Sequence, residues 1–260
     1  LNSQYNRLFF VLLISGLILG LFAQSAPGFK AKKLAFELLQ TFPHDKSAFT
    51  QGLIYHNNVL YEGTGQRGAS SLRKVTLENG VVQQMHHLED QFFGEGVTIL
   101  NNRIYQLTWQ SNVGFIYDLE SFSFQEKIYY PTEGWGLTTD GEHLILSDGS
   151  ETLYWYDPAS FSEMSSLVVR DNGNPVKGLN ELEYINGQIF ANVYPTDYIV
   201  RIDAKSGEVT GWLDCSNFLT PSERRYTDVL NGIAWNPDNG HLFLTGKYWP
   251  LLYEIRLLEN

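Results

Sequence analysis

Residues 95–109 read Glu95-Gly96-Val97-Thr98-Ile99-Leu100-Asn101-Asn102-Arg103-Ile104-Tyr105-Gln106-Leu107-Thr108-Trp109. A small or polar residue, a glycine and an aliphatic residue open a first apolar run. Two asparagines turn the chain, and a second apolar run returns. A third run of alternating residues follows at Phe115-Ile116-Tyr117-Asp118-Leu119. The same order recurs from Gln51-Gly52-Leu53, Trp135-Gly136-Leu137, Asn180-Glu181-Leu182 and Asn231-Gly232-Ile233, with successive copies 44, 40, 45 and 51 positions apart. Short β segments repeated every 40 to 50 residues or so are the mark of propeller blades, because one four-stranded unit cannot bury its faces alone. A propeller sets the equivalent position of every blade around one channel, so residues that differ at that position form a single site.

Turn chemistry supports the register. His56-Asn57-Asn58, Asn101-Asn102, Asp140-Gly141, Asn186-Gly187 and Asp238-Asn239-Gly240 fall at the same place in the five copies, and Asn, Asp and Gly are the residues that tolerate tight hairpin geometry. Third strands recur at Leu153–Asp157, Ile199–Asp203 and Leu252–Ile255. The last copy is one strand short, while 34–42 before the first copy has no partner. Ring closure by that early strand removes both exposed edges. The expected fold is therefore all-β, a five-bladed β-propeller closed by an N-terminal strand joining the last blade. The long spacing of 51 comes from an insertion, Leu219-Thr220-Pro221-Ser222-Glu223-Arg224-Arg225, read as a short helix capped by Thr220 or Ser222.

The chain has 260 residues, 43% hydrophobic and 18% charged, with a net charge of −11. One continuous run of repeats over most of that length means one domain at 34–260. The acidic balance and the lack of a basic stripe argue against nucleic acid as a partner. A single cysteine, Cys215, excludes an intrachain disulfide, and the six scattered histidines form no metal-ligand pair. Leu8 to Phe22 is almost wholly apolar, follows Arg7 and precedes the small residues Ala23-Gln24-Ser25-Ala26. Residues 1–26 read as a signal peptide or a retained N-terminal anchor, and 27–33 as a linker. Either option places the domain outside the cytoplasm, periplasmic or secreted. A membrane is a partner only if the segment is retained, and a monomer is expected.

Two rings of positions define a candidate pocket. The residue before the repeated glycine is Gln51, Glu95, Trp135, Asn180 and Asn231 in turn. Fourteen residues further, at the end of the second strand, stand Gly65, Trp109, Gly149 and Tyr194; a longer turn in the fifth copy makes the equivalent Lys247. Antiparallel strands bring the two rings side by side. One carboxylate, one ammonium, several amides and three large aromatics then converge, which describes a small-molecule site. Each residue also has an ordinary reading. Glu95 could be a solvated strand end, the aromatics could be blade packing, Lys247 could neutralise acidic neighbours, and Asn231 is left open.

At these residues the sequence resembles the glutaminyl cyclotransferases of the plant and bacterial type. The resemblance is carried by Phe49-Thr50-Gln51-Gly52-Leu53, Phe93-Gly94-Glu95-Gly96, Leu107-Thr108-Trp109, Glu133-Gly134-Trp135-Gly136-Leu137, Leu179-Asn180-Glu181-Leu182-Glu183 and Thr245-Gly246-Lys247-Tyr248-Trp249-Pro250, over residues 42 to 257. It implies a five-bladed propeller with its site at the channel entrance, and conversion of N-terminal glutamine of peptides to pyroglutamate with release of ammonia. It places the catalytic glutamate on Glu95, the substrate-shaping aromatics on Phe93, Trp109 and Trp135, and the polar ligands on Gln51, Asn180 and Lys247. Tyr194 stands where the plant enzymes carry a third tryptophan. That change keeps a flat ring and adds a hydroxyl.

The chemistry implied needs no metal or cofactor, although a structural calcium ion in the channel is compatible with it. The rival classes are a non-catalytic propeller that binds a small ligand or protein at the same pocket, and a propeller lyase or lactone hydrolase. The last usually needs a bound metal or a His base, and neither ring contains a histidine.

Overall fold

The computed structural model describes residues 28–258. The expected signal peptide or anchor at 1–26 lies outside the described residues. Within them the chain forms five four-stranded antiparallel sheets. Blade one is Thr50–His56, Val59–Thr64, Ser71–Thr76 and Val82–His87; blade two is Gly94–Leu100, Arg103–Thr108, Val113–Asp118 and Phe124–Tyr129. Blade three is Leu137–Thr139, Leu144–Ser147, Thr152–Tyr156 and Glu163–Val168; blade four is Leu179–Ile185, Gln188–Val193, Tyr198–Asp203 and Val209–Asp214. Blade five takes Leu230–Asn236, His241–Gly246 and Leu251–Leu258, and its outer strand is Ala35–Pro43 from the start of the domain.

That closing pair runs from Ala35 opposite Leu258 to Pro43 opposite Leu251. Phe36 and Phe42 anchor it, edge-on to Phe218 and Phe243 at 5.5 and 6.0 Å between ring centroids. The sequence expectation of ring closure is met. Residues 28–33, expected to be a linker, lie instead along blade four. Phe29 packs on Tyr198 and Trp212, the Ala31 carbonyl accepts from Trp212 Nε1 at 2.9 Å, and Lys33 pairs with Asp214 at 2.9 Å. The Pro27-Gly28 start and basic tail of the expected linker hid the apolar Phe29.

Burial grades outward along each blade. The first strand of blade two is buried at six of its seven positions, whereas the fourth, Phe124–Tyr129, is exposed at five of six. Inner strands therefore read as near-continuous apolar runs and outer strands do not. The core lies between neighbouring sheets: Ile145 and Leu153 of blade three pack against Leu182, Ile189 and Val200 of blade four. Hairpin turns carry positive φ at paired positions, 52° and 62° at Asn57 and Asn58, 52° and 59° at Asn101 and Asn102, 49° and 83° at Asn186 and Gly187. This is the geometry that two-residue hairpins require. In the insertion only Glu223–Arg225 is helical, a single 3₁₀ turn. Ser222 stands at its N-cap without a side-chain cap bond, and Thr220 makes the reciprocal pair instead: its hydroxyl accepts from the Glu223 N–H at 3.3 Å while the Glu223 carboxylate accepts from the Thr220 N–H at 2.8 Å.

The repeated glycine has a steric cause. In blades one to three the first strands of adjacent blades meet around the channel with no room for a side chain, while in blade five Gly232 is required by a φ of 127°. A Cβ on Gly96 would stand 2.5 Å from the Leu137 nitrogen, and one on Gly52 would stand 2.9 Å from Gly96 Cα. One copy departs from this. Glu181 occupies the glycine position in blade four and sends its carboxylate across the shaft, accepting from the Leu53 N–H at 3.1 Å and the Ile233 N–H at 2.8 Å.

Candidate functional site

Immediately beside the repeated glycine, the pairing of first and second strands slips by one residue in blades one, two, four and five. A bulge gives one strand an extra residue and re-aims its side chain. The residues at these slips are Gln51, Glu95, Asn180 and Asn231, joined in blades two, four and five by Gly96, Glu181 and Gly232. The bulge thus turns the first ring of positions toward the channel mouth. In blade three the same place, Trp135, precedes the strand altogether.

At that mouth lies a pocket of about 250 Å³. Gln51, Glu95, Asn180 and Lys247 form its polar lining, and Phe93, Trp109, Trp135 and Tyr194 form its aromatic walls. All eight residues singled out from the sequence converge on it. Phe49 and Gln66 line it as well. Phe49 appeared in the sequence only as part of a motif; Gln66 left no signal, because its place depends on a positive φ of 94° after Gly65. A depression of about 340 Å³ lies at the far ends of the first strands, lined by turn residues such as His56, Asn57 and Asn102. Its charged groups are one carboxylate, Glu120, and one lysine, Lys74, and its rings are Tyr61 and His56.

Glycines of the second ring make space for the aromatics. A Cβ on Gly149 would stand 2.7 Å from the Trp135 ring, and one on Gly65 would strike the Phe93 ring. The wall is built from edge-to-face pairs, Phe93 with Trp109 and Trp135 with Tyr194, each at 5.6 Å between centroids. Such pairs hold flat faces at fixed angles.

Glu95 is only 4% exposed. Burial pushes its carboxyl well above the usual carboxylate range. The Lys247 ammonium and a hydrogen bond from Gln51 oppose that rise, and the Glu133 charge adds to it. Lys247 is equally buried, and burial holds its ammonium below the usual lysine value against the pull of Glu95 and Asp228. Its Nζ stands 4.7 Å from the Phe49 ring centroid and 5.1 Å from that of Tyr194. Two aromatic faces thus replace part of its hydration.

A directed chain of hydrogen bonds reaches Glu95. Asn231 Nδ2 donates to the Thr50 carbonyl at 3.0 Å and to Gln51 Oε1 at 2.9 Å, and Gln51 Nε2 donates to Glu95 Oε1 at 2.9 Å. A backbone carbonyl only accepts, so it fixes the direction of both amides. Gln51 must therefore present its N–H to Glu95, leaving Oε2 of that carboxylate for a ligand. Asn231, left open from the sequence, belongs to the floor beneath the site. The Oδ1 of Asn180 is buried without a partner. A buried acceptor without a donor is costly, and in a pocket wall it is complementary to an N–H of a bound molecule.

Among the described residues no group of three or more His, Cys, Asp or Glu side chains could hold a metal ion, and no helix is long and apolar enough to cross a membrane. The channel carboxylate of Glu181 is already engaged by two backbone N–H groups.

Comparison with known proteins agrees with this geometry. The glutamine cyclotransferase family model matches residues 12–257. The glutaminyl-peptide cyclotransferase of Arabidopsis thaliana is 47% identical over 228 residues, which cover 86% of this chain and 71% of that protein. The crystal structure of Myxococcus xanthus glutaminyl cyclase is similar with a TM-score of 0.81 at 35% identity, over 88% of this chain and 98% of that one. The chain belongs to the glutamine cyclotransferase family.

Proposed function

We propose that this protein is a glutaminyl-peptide cyclotransferase, closing N-terminal glutamine of peptides and proteins to pyroglutamate with release of ammonia. The observation that carries the reading is Glu95: a single buried carboxylate, oriented by Gln51, with one oxygen turned to an aromatic pocket that also holds an ammonium and an unpartnered amide oxygen.

The substrate supplies both nucleophile and electrophile. Its α-amine nitrogen forms a bond to the side-chain amide carbon, and the bond from that carbon to the amide nitrogen breaks. The aromatic faces of Trp109, Trp135 and Tyr194 hold the side chain folded back on the amine, so much of the barrier is removed by proximity. Glu95 takes a proton from the attacking amine and delivers it to the departing nitrogen, which leaves as ammonia. Burial keeps the affinity of Glu95 for that proton high, suiting it to both halves of the transfer. Lys247 faces the charge that develops on the carbonyl oxygen in a site with little water. Asn180 Oδ1 accepts an N–H of the substrate.

Every group in this scheme comes from the chain or the substrate, so the reaction is proposed to run without a cofactor. We extend the proposal to an exported protein, on the strength of the apolar stretch from Leu8 to Phe22, and to a monomer, since one chain lines the pocket.

The test is incubation of the purified chain with a short peptide beginning with Gln. Loss of one ammonia by mass is the expected result, with the rate rising from acid toward about pH 8 as the amine, of reference pKa about 7.7 to 8.0, loses its proton. Prior dialysis against a chelator leaves the rate unchanged. Binding of the peptide without ammonia loss would favour the non-catalytic propeller.

A further inference from the structure

Glu133 stands outside the pocket, behind its two tryptophan walls. Trp109 Nε1 donates to Glu133 Oε2 at 2.7 Å, and Trp135 Nε1 donates to the same oxygen at 3.0 Å. The other oxygen accepts from Gln110 Nε2 at 3.2 Å. The two indoles come from different blades: Trp109 follows the second strand of blade two, and Trp135 precedes the first strand of blade three. Glu133 is held at the seam between them, because the next residue, Gly134, donates its N–H to the Trp109 carbonyl at 3.1 Å. A Cβ on Gly134 would meet the Thr108 carbonyl oxygen at 2.9 Å.

A single carboxylate oxygen with two lone pairs takes both indole donors, which pins two planes at one point. Each plane carries an edge-to-face partner, Phe93 on Trp109 and Tyr194 on Trp135. We infer that Glu133 is a positioning residue for this pocket: its carboxylate bridges the indoles of Trp109 and Trp135 and sets the spacing of the four-ring wall that grips the glutamine side chain. The inference rests on the cyclisation reading for its kinetic consequences, but the bridge itself is a property of the folded protein.

Charge and bridge separate in two conservative substitutions. Glu133→Gln keeps an oxygen for both indoles and removes the charge; the exposed Gln110 amide rotates to meet the new N–H₂. Glu133→Asp keeps the charge and shortens the reach by a methylene, so it cannot hold both indoles. The readouts are kcat and KM for a Gln peptide across pH, and the indole N–H resonances of the six tryptophans. For Glu133→Asp the expected result is a roughly 10- to 100-fold loss of kcat/KM, chiefly through KM. The Trp109 and Trp135 resonances should move while the other four stay. The acid limb of kcat stays in place.

For Glu133→Gln, KM stays within about twofold and both resonances stay. The part of the kcat pH profile set by Glu95, as distinct from the α-amine limb near pH 8, moves to lower pH, because a like charge has been removed from its neighbourhood, while Lys247 and the Tyr130 hydroxyl, the other titratable groups near it, are unchanged. Wild-type KM with unmoved indole resonances in Glu133→Asp overturns the inference. So does a rise of KM in Glu133→Gln as large as in Glu133→Asp. A wild-type protein that binds but does not cyclise the peptide removes the cyclisation reading, and the indole spectra of the two variants then judge the bridge alone.

Discussion

Two glutamates of this ring are almost completely removed from solvent, and their surroundings differ in kind. Glu95 stands just before the repeated glycine of blade two, and Glu181 stands at the glycine position of blade four. A difference of one place in the repeat turns one side chain to the channel mouth and the other into the shaft. Both carboxyls are pushed well above the ordinary range by burial. The partners separate them. Glu95 is met by one side-chain amide and keeps an oxygen free toward an aromatic pocket. Glu181 is met by backbone N–H groups of blades one and five on both oxygens. A raised proton affinity is therefore shared by a candidate acid–base group and by a structural cross-tie. Only the free oxygen and the pocket tell them apart.

The largest effect expected from this contrast is on Glu95→Gln. The amide keeps shape and hydrogen bonding but cannot shuttle a proton, so turnover should fall by about 10² to 10⁴ while the thermal midpoint stays close to that of the parent. Steady-state kinetics and a melting curve check both halves. Near-parental turnover would take Glu95 out of the mechanism.

Glu181→Ala should invert the pattern. It leaves the N–H groups of Leu53 and Ile233 without acceptors inside the shaft, each costing about 1–3 kcal/mol. Urea titration should register that loss, while the rate per folded molecule stays within a few-fold of the parent. A variant as stable as the parent would mean that water replaces the carboxylate.

Smaller losses belong to the walls. Trp109→Ala and Trp135→Ala should each reduce kcat/KM by the equivalent of about 1–3 kcal/mol, the scale of a buried aromatic contact. Tyr194→Trp should be tolerated, because an indole keeps the flat face that packs edge-on to Trp135. Competition kinetics with a Gln peptide would show either result.

The last effect expected is a slope spread over several pH units. Glu183, next to the cross-tie, is pushed up by burial to about 8, against an ordinary value of 4.5. Its folded form holds a proton that the unfolded chain has lost between those values. The stability it contributes is complete below about pH 4.5 and is lost as pH rises through 8. Glu181 acts in the same direction, and so does His44, whose raised proton affinity survives burial because Glu62 faces it at 3.0 Å. Thermal midpoints measured between pH 5 and 9 should fall with rising pH, and Glu183→Gln should flatten that fall. A midpoint that rises over this range in the parent would show these carboxyls ionised in the folded state.

The sequence by itself determined the ring. The glycine of each copy, the turn pairs such as Asn101-Asn102 and the orphan strand before Pro43 are local signals, and each acts within a few residues of itself. Two positions per copy were enough to gather Gln51, Glu95, Trp109, Trp135, Asn180, Tyr194 and Lys247 at one mouth, because repetition converts a place in the repeat into a place in space; Phe93, off both positions, came only from the family resemblance. What only the tertiary structure decided is which atoms meet across blades. Asn231 fixes the amide of Gln51 from 180 residues away, Glu181 reaches Leu53 across 128, and Glu133 joins two indoles at a seam. Phe29 on blade four and Gln66 at the mouth belong to the same class. A periodic pattern records the spacing of strands along the chain; the meeting of a particular oxygen with a particular N–H depends on bulge, side-chain rotamer and the packing of the neighbouring sheet, which the pattern does not carry.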